Sequence, residues 1–279
     1  MKTYLATSYN YTIIRESLSF PEKPCPYILQ KDGNILIFNP SPLHGRSYIV
    51  GKTKNGRFIV SKGNGLSYSQ FRFLHTGEAF NYTWGLLLRR DAERDFILGQ
   101  EIEALGIKTN HMEYVLKIDT QLTLPNGHTI NPYLLQYDVE SPYRICDAPF
   151  MNTNDIYSEV EKWEKMNEMG YNERYLVAAN VLIKNLRILH DKKILHNAIH
   201  EQNYTWALEL LDFELASSPM HPYDSQDNQL HFQDLFSREI IYTYVIINYI
   251  AGVLNEKIDY STVDALFEKY GFDIKQFIV

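Results

Sequence analysis

From Tyr27 to about Ser61, short runs rich in Ile, Val, Tyr and Phe are separated by turn residues, which predicts paired strands. Asp32-Gly33-Asn34 stands between Tyr27-Ile28-Leu29 and Ile35-Leu36-Ile37-Phe38 and predicts a hairpin. Asn55-Gly56 stands between Tyr48-Ile49-Val50 and Arg57-Phe58-Ile59-Val60 and predicts a second one. In the last of these strands a period of two puts Phe58, Val60 and Lys62 on one face. A lysine sharing a face with two apolar side chains suits the rim of a cleft. It equally suits a strand end whose lysine reaches out to water.

The period then changes. Arg90 to Leu105 contains no Pro and only Gly99 among glycines, and Gly106 provides a helix stop. Asp95, Leu98 and Ile102 share one side of that helix while Glu101 points elsewhere. If the helix packs on the sheet, Asp95 rather than Glu101 faces Lys62. Strand-like runs return at Met112 to Ile118 and Tyr133 to Val139, with the turn Pro125-Asn126-Gly127 between them. Beyond about Asn154 the pattern is helical. One helix runs to about Met169 and is broken by Gly170. A longer one, Asn172 to Asp191, carries Tyr175, Leu176, Ala179, Leu182, Leu186 and Leu189 as a core-facing stripe. Helices near Asp234 to Asn255 and Ser261 to Tyr270 follow.

The long helix delivers the chain into Leu195-His196-Asn197-Ala198-Ile199-His200-Glu201-Gln202-Asn203, followed by Leu211-Asp212-Phe213-Glu214. An Asn, a short apolar run and an apolar-Asp-aromatic triplet is how kinase-like folds build a metal site. The Asn amide oxygen and the Asp carboxylate are hard ligands of the kind Mg²⁺ takes while it also holds ATP phosphates. A turn Asn followed by a strand-end Asp accounts for the same letters without any ligand. Strands, one helix, more strands and then a helical half predict an α+β, two-lobed, protein-kinase-like fold. The N-lobe, residues 1–150, is mainly β with one helix, and the C-lobe, residues 151–279, is mainly α. ATP is expected in the cleft between the lobes, where ligand sites favour domain junctions.

Composition narrows the classes. A chain of 279 residues that is 45% hydrophobic can bury one large core or two modest lobes. Its formal charge of −7 argues against a dedicated nucleic-acid or anionic-membrane surface. Cys25 and Cys146 are the only cysteines, far apart and without metal-ligand spacing, so no disulfide framework or zinc site is expected and a reducing cytoplasm is the default. Met1 to Arg15 has no continuous apolar run of the secretory kind. The longest apolar stretch, Ile240 to Leu254, contains Tyr242, Thr243, Tyr244, Asn248 and Tyr249 and reads as a buried helix rather than a membrane span.

Several segments, in order, resemble the selenoprotein O family, kinase-fold proteins that adenylylate other proteins. Ser61-Lys62-Gly63-Asn64-Gly65-Leu66-Ser67-Tyr68-Ser69 is similar to that family's Leu-Lys-Gly-Ala-Gly segment. Gly85 to Ile107, with Arg94-Asp95-Phe96 and Ala104-Leu105-Gly106-Ile107, resembles its Arg-Glu-Phe helix and the Ala-Leu-Gly-Ile that follows. His196 to Asn203 matches its His-Gly-Val-x-Asn-Thr-Asp-Asn in length, and Leu211-Asp212-Phe213 its Ile-Asp-Tyr. Upstream, Gly45-Arg46 resembles the end of its Gly-x-Gly-Arg loop. The resemblance implies that Lys62 holds ATP phosphates and pairs with Asp95, which replaces a Glu. It implies that Gly45, Arg46 and Arg144 contact the nucleotide phosphates, that Asn203 and Asp212 bind Mg²⁺, and that a protein hydroxyl receives AMP.

The departures fall on the same loop. The family's proposed proton acceptor is Gln202 here, and an amide can orient a nucleophile but cannot take its proton. The position of the ordinary kinase base is Ala198. His200 and Glu201 substitute only if they point inward. Leu43 replaces the first Gly of the nucleotide loop, and Glu214 replaces the Gly after the Asp-aromatic pair. The C-terminal redox cysteine or selenocysteine pair of the family is missing. Three readings stay open: adenylyl transfer to a protein, phosphoryl transfer to a protein or small molecule, and a pseudokinase that binds ATP or a partner without chemistry.

Overall fold

A computed structural model of the chain describes all residues except 20, 42, 44–45, 66–84, 124–126, 224–231 and 275–279. The described chain forms two compact units. The first comprises Met1–Gln100 and Asn110–Tyr143, and the second Glu101–Thr109 and Arg144–Val279.

In the first unit the strands are β1 (Lys2–Ser8), β2 (Tyr11–Glu16), β3 (Tyr27–Leu29), β4 (Ile35–Asn39), β5 (Ser47–Lys52), β6 (Phe58–Lys62), β7 (His111–Ile118), β8 (Leu122–Thr123), β9 (Thr129–Ile130) and β10 (Tyr133–Val139). Eight of them make one sheet in the order β2-β7-β10-β6-β5-β4-β1-β3, and β8 and β9 form a small separate ribbon. The Asn55-Gly56 hairpin forms, pairing Lys52 with Phe58 and placing Gly56 at φ +83°. The Asp32-Gly33-Asn34 hairpin does not. β1 lies between β3 and β4 and pairs antiparallel with both. The first strand of the chain carries only Ala6 fully inside, so its sequence lacks the apolar run that would announce it. Gly33 therefore serves a different purpose from a hairpin turn. A Cβ there would stand 2.3 Å from the Ala6 carbonyl oxygen, so the crossing exists only because residue 33 has no side chain.

β6 is interior to the sheet and closed on both faces: Ile59, Val60, Ser61 and Lys62 are all buried. On the Ser61 side, Asn64 Nδ2 donates to the Ser61 hydroxyl at 3.2 Å and to the Tyr27 carbonyl at 2.5 Å. The neighbouring Gln136, cross-strand from Ser61, accepts from the Cys25 N–H at 2.8 Å and donates to the Lys23 carbonyl at 3.0 Å. This amide stitches the segment before β3 onto the sheet. Its nitrogen also donates to Glu113 at 2.6 Å, and burial raises the Glu113 carboxyl above the usual range despite that bond. Helix α1 (Arg89–Glu103) buries Ala92, Asp95, Phe96, Leu98 and Ile102, a stripe at helical spacing with one carboxylate in it.

The second unit is helical: α2 (Thr153–Glu161), α3 (Arg174–Asp191), α4 (Phe232–Leu254) and α5 (Tyr260–Lys269). α2 is shorter than its pattern predicts and passes into a 3-10 turn over Lys162–Met166. It opens on an Asn152 side chain that accepts from the Asp155 N–H, relieving one of the unpaired donors of a helix start. α3 carries the core, with Leu182, Ile183, Leu186 and Leu189 at 1% exposure or less. Its own first turn is capped from a distance: the two carboxylate oxygens of Glu256 accept from the Arg174 and Tyr175 N–H groups. An acid there also complements the positive end of the helix dipole. α4 and α5 both pack on α3. Among the described residues no helix is long and apolar enough to cross a membrane.

Candidate active site

Lys62 ends β6, and its ammonium lies 2.7 Å from the Asp95 carboxylate on α1, both residues being 2% exposed. The strand alternation aims Lys62 at the face on which α1 packs, and the helical period aims Asp95 back at it. Two opposite charges taken this far out of water are stable only against one another or a further charged group. Ser47 is the cross-strand partner of Lys62, so Arg46 is held one residue away from that pair. Arg46 is half-buried at φ +62°, and its carbonyl accepts from the Gly63 N–H at 2.6 Å. Gly63 sits at φ +100°, and a Cβ there would meet the Tyr133 carbonyl at 2.6 Å, so this strand end admits no other residue without a shift. Gly45 and the segment Leu66 to Ser69 lie outside the described residues.

In the second unit, Asn203 and Asp212 fall on the two arms of a narrow hairpin. The Leu211 N–H donates to the Asn203 carbonyl at 2.9 Å, Tyr204 bridges Leu210, and the Thr205 N–H donates to the Glu209 carbonyl at 3.0 Å. The hairpin is tied at its side by a parallel bridge between Leu210 and Thr109. Asn203 is buried, and its Nδ2 donates to the Ala198 carbonyl at 2.9 Å. That bond directs the other end of the amide, the oxygen a cation would use, away from the loop. Asp212 is half-buried at φ +69°, a left-handed conformation that Asp tolerates better than most residues. A carboxylate oxygen of Asp212 and one of Glu214 lie within 4.8 Å of each other. These two carboxylates are hard oxygen donors, which suit Mg²⁺ and do not suit zinc or copper, and the amide of Asn203 on the opposite arm of the hairpin offers an oxygen of the same kind.

His196 is fully buried, and its Nε2 lies 2.8 Å from the Leu211 carbonyl. A carbonyl only accepts, so Nε2 carries the hydrogen. The ring also stands edge-on to Phe213 at 5.4 Å between centroids. Burial lowers the His196 pKa, and Nδ1 has no hydrogen-bond partner, so the ring is neutral and structural. His196 thus joins the loop to the segment bearing Asp212. On the other side of the loop, Glu239 of α4 accepts from the Asn197 N–H at 2.7 Å and pairs with His190 at 3.0 Å. These supports join residues far apart in the chain, and no local pattern signals them.

The proton-acceptor question turns on His200. Its Nδ1 accepts from the Gln202 N–H at 3.2 Å, capping the short 3-10 turn Glu201–Asn203. With Nδ1 engaged as an acceptor, the hydrogen of the neutral ring resides on Nε2, which then donates and does not take a proton. Burial lowers its pKa, keeping the ring neutral. Glu201 and Gln202 are half-buried. The Gln202 carbonyl accepts from Nη1 of Arg144 at 3.0 Å, and Arg144 is itself only 5% exposed.

No protein-family model matches the chain, and no curated protein matches it. Among solved structures, it is similar to a Toxoplasma gondii specific rhoptry antigen kinase domain at a TM-score of 0.49 and 10% identity, over 88% of this chain and 78% of that one.

Proposed function

We propose that the protein is an ATP- and Mg²⁺-binding transferase on a kinase-like plan, and that the group it moves is AMP, delivered to a hydroxyl side chain of a protein. The observation that carries the nucleotide-binding part is the Lys62–Asp95 pair, an ammonium and a carboxylate 2.7 Å apart and both almost fully buried where α1 packs on the sheet. A structural lysine has no need of such burial; a phosphate-binding lysine needs a fixed direction. In this reading Lys62 and Arg46 of the first unit act on the nucleotide phosphates. Asn203 and Asp212 of the second act on the cation, with Gln202 beside them to orient the acceptor. A cation held there would neutralise phosphate charge as the bond to the leaving group breaks. The choice of AMP rests on the resemblance of the Lys62, Asp95 and Asn203 segments to the selenoprotein O family.

In that transfer the acceptor oxygen attacks the α-phosphorus, the bond from phosphorus to the bridging oxygen breaks, and pyrophosphate leaves with the electron pair. The hydroxyl proton must go to a base. Ala198 has none to offer, Gln202 is an amide and His200 has Nδ1 occupied, so of the loop's candidate groups the half-buried Glu201 carboxylate is left to take the proton. That neither Ala198 nor Gln202 is a base favours a second reading, a nucleotide-binding protein with slow or no chemistry.

The experiment is incubation of the protein with Mg²⁺, a cell lysate and ATP labelled at either the α- or the γ-phosphate. Protein label from α-labelled ATP alone supports adenylyl transfer. Label from γ-labelled ATP alone replaces it with phosphoryl transfer. Label from neither, with ATP binding shown separately by titration, supports the non-catalytic reading. No ATP binding at all, in a folded protein, overturns the proposal.

A further inference from the structure

Arg144 holds an unusual position relative to Asn203, the proposed cation ligand. Its main chain pairs with the hairpin on the far side of Asn203: the Ile145 N–H donates to the Tyr204 carbonyl at 2.9 Å, and Arg144 bridges Thr205. Its side chain reaches the near side, where Nη1 donates to the Gln202 carbonyl at 3.0 Å. The Gln202 carbonyl and the Asn203 N–H belong to one peptide unit, and that N–H donates to the His200 carbonyl at 2.9 Å. Both polar ends of the unit are therefore tied, one by Arg144 and one by the loop itself. Planarity of the peptide then leaves the Asn203 Cα no freedom to swing about its own N-terminal side.

Arg144 is in turn built in. Its N–H donates to the Asp147 carboxylate at 2.7 Å, and the Asp147 N–H donates back to the Arg144 carbonyl at 2.9 Å. Asp147 is fully buried, and its carboxylate, that of Glu201 and the Arg144 guanidinium all act electrostatically on the adjacent Cys146. A phosphate-binding arginine is used best where its planar fork is open to an anion. This one is 5% exposed, and its Nη1 is committed to the Gln202 carbonyl.

We infer that Arg144 is a positioning residue that sets the direction of the Asn203 amide through the Gln202 carbonyl, and so tunes cation affinity rather than gripping phosphate. The inference rests on the reading of Asn203 and Asp212 as the cation pair. Supports of this kind, removed one at a time from metal sites, typically weaken metal affinity about 10–100-fold.

The test is ATP binding by calorimetry across a Mg²⁺ series and in excess chelator, for the wild type, Arg144→Met, Arg144→Lys and Asn203→Ala, each checked for its unfolding midpoint. The expected result is a Mg²⁺ half-saturation raised at least about tenfold in Arg144→Met, partly restored in Arg144→Lys, with chelator-state ATP affinity unchanged. Equal weakening with and without Mg²⁺ would overturn the inference in favour of a phosphate contact. An unchanged half-saturation would also overturn it, leaving at most a stability role. Should Arg144→Met not fold, Arg144→Lys decides alone: a raised half-saturation supports the inference and an unchanged one sinks it. If Asn203→Ala leaves the Mg²⁺ dependence intact, the cation-site reading fails first and this inference falls with it. Failure confined to the Arg144 variants leaves that reading standing.

Discussion

The ammonium of Lys62 and the carboxylate of Asp95 lie 2.7 Å apart with side-chain exposures of 3% and 2%, one from a central strand and one from the helix packed over it. Removing one partner of such a pair leaves the other charge buried and poorly compensated. Lys62→Met is therefore expected to cost about 3–5 kcal/mol of stability in urea unfolding as well as nucleotide binding. The double variant Lys62→Met/Asp95→Leu should recover most of that stability and none of the binding. Recovered binding in the double variant would show that the pair acts only on the fold.

Gly33 and Ala6 make a different kind of contact. Gly33→Ala would drive a methyl group to 2.3 Å from the Ala6 carbonyl oxygen, so β1 or the crossing segment must move. We expect a loss of at least about 2 kcal/mol in the same assay and faster amide exchange in β1. Gly56→Ala, at positive φ with nothing within 4 Å, should cost less.

The buried His196 makes stability depend on pH. Its folded pKa is lowered from the ordinary 6.5, so the unfolded chain binds a proton that the folded one refuses. Stability from this group is complete above about pH 6.5 and is lost as pH falls below it. His196→Gln keeps a donor toward the Leu211 carbonyl without a titrating ring, and its midpoint in thermal unfolding should fall less steeply between about pH 6.5 and 5.

Glu113 has the opposite sign. Burial raises its folded pKa, so the folded state holds its proton more tightly and stability from this group is lost as pH rises through the raised value. Glu113→Gln can still accept from the Gln136 amide and carries no charge. It should match the wild type in unfolding at about pH 4 and exceed it at about pH 8, by an amount set by the raised pKa. An equal difference at both values would mean that charge burial is not the cause.

The periodic segments were legible because local geometry suffices to identify them. The Asn55-Gly56 hairpin, α1, the α3 stripe and the existence of α4 all follow from residue spacing and turn chemistry, since neighbours along the chain decide them. So do the directions in which Lys62 and Asp95 point, each from its own period. α4, however, is buried on one side only and exposes Ile241, Tyr242 and Val245. What the chain could not declare locally is pairing. β1 and β2 lack an apolar run because much of their surface is exposed, and β1 separates two strands that read as a hairpin. The engagement of His200 Nδ1 by the Gln202 N–H, which removes a base, depends on one tight turn. The grip of Arg144 on the Gln202 carbonyl and of Glu239 on the Asn197 N–H joins residues dozens of positions apart. Hydrophobic period fixes which face is inward, whereas the partners of a buried polar group are settled only when separate elements pack and each donor must find an acceptor.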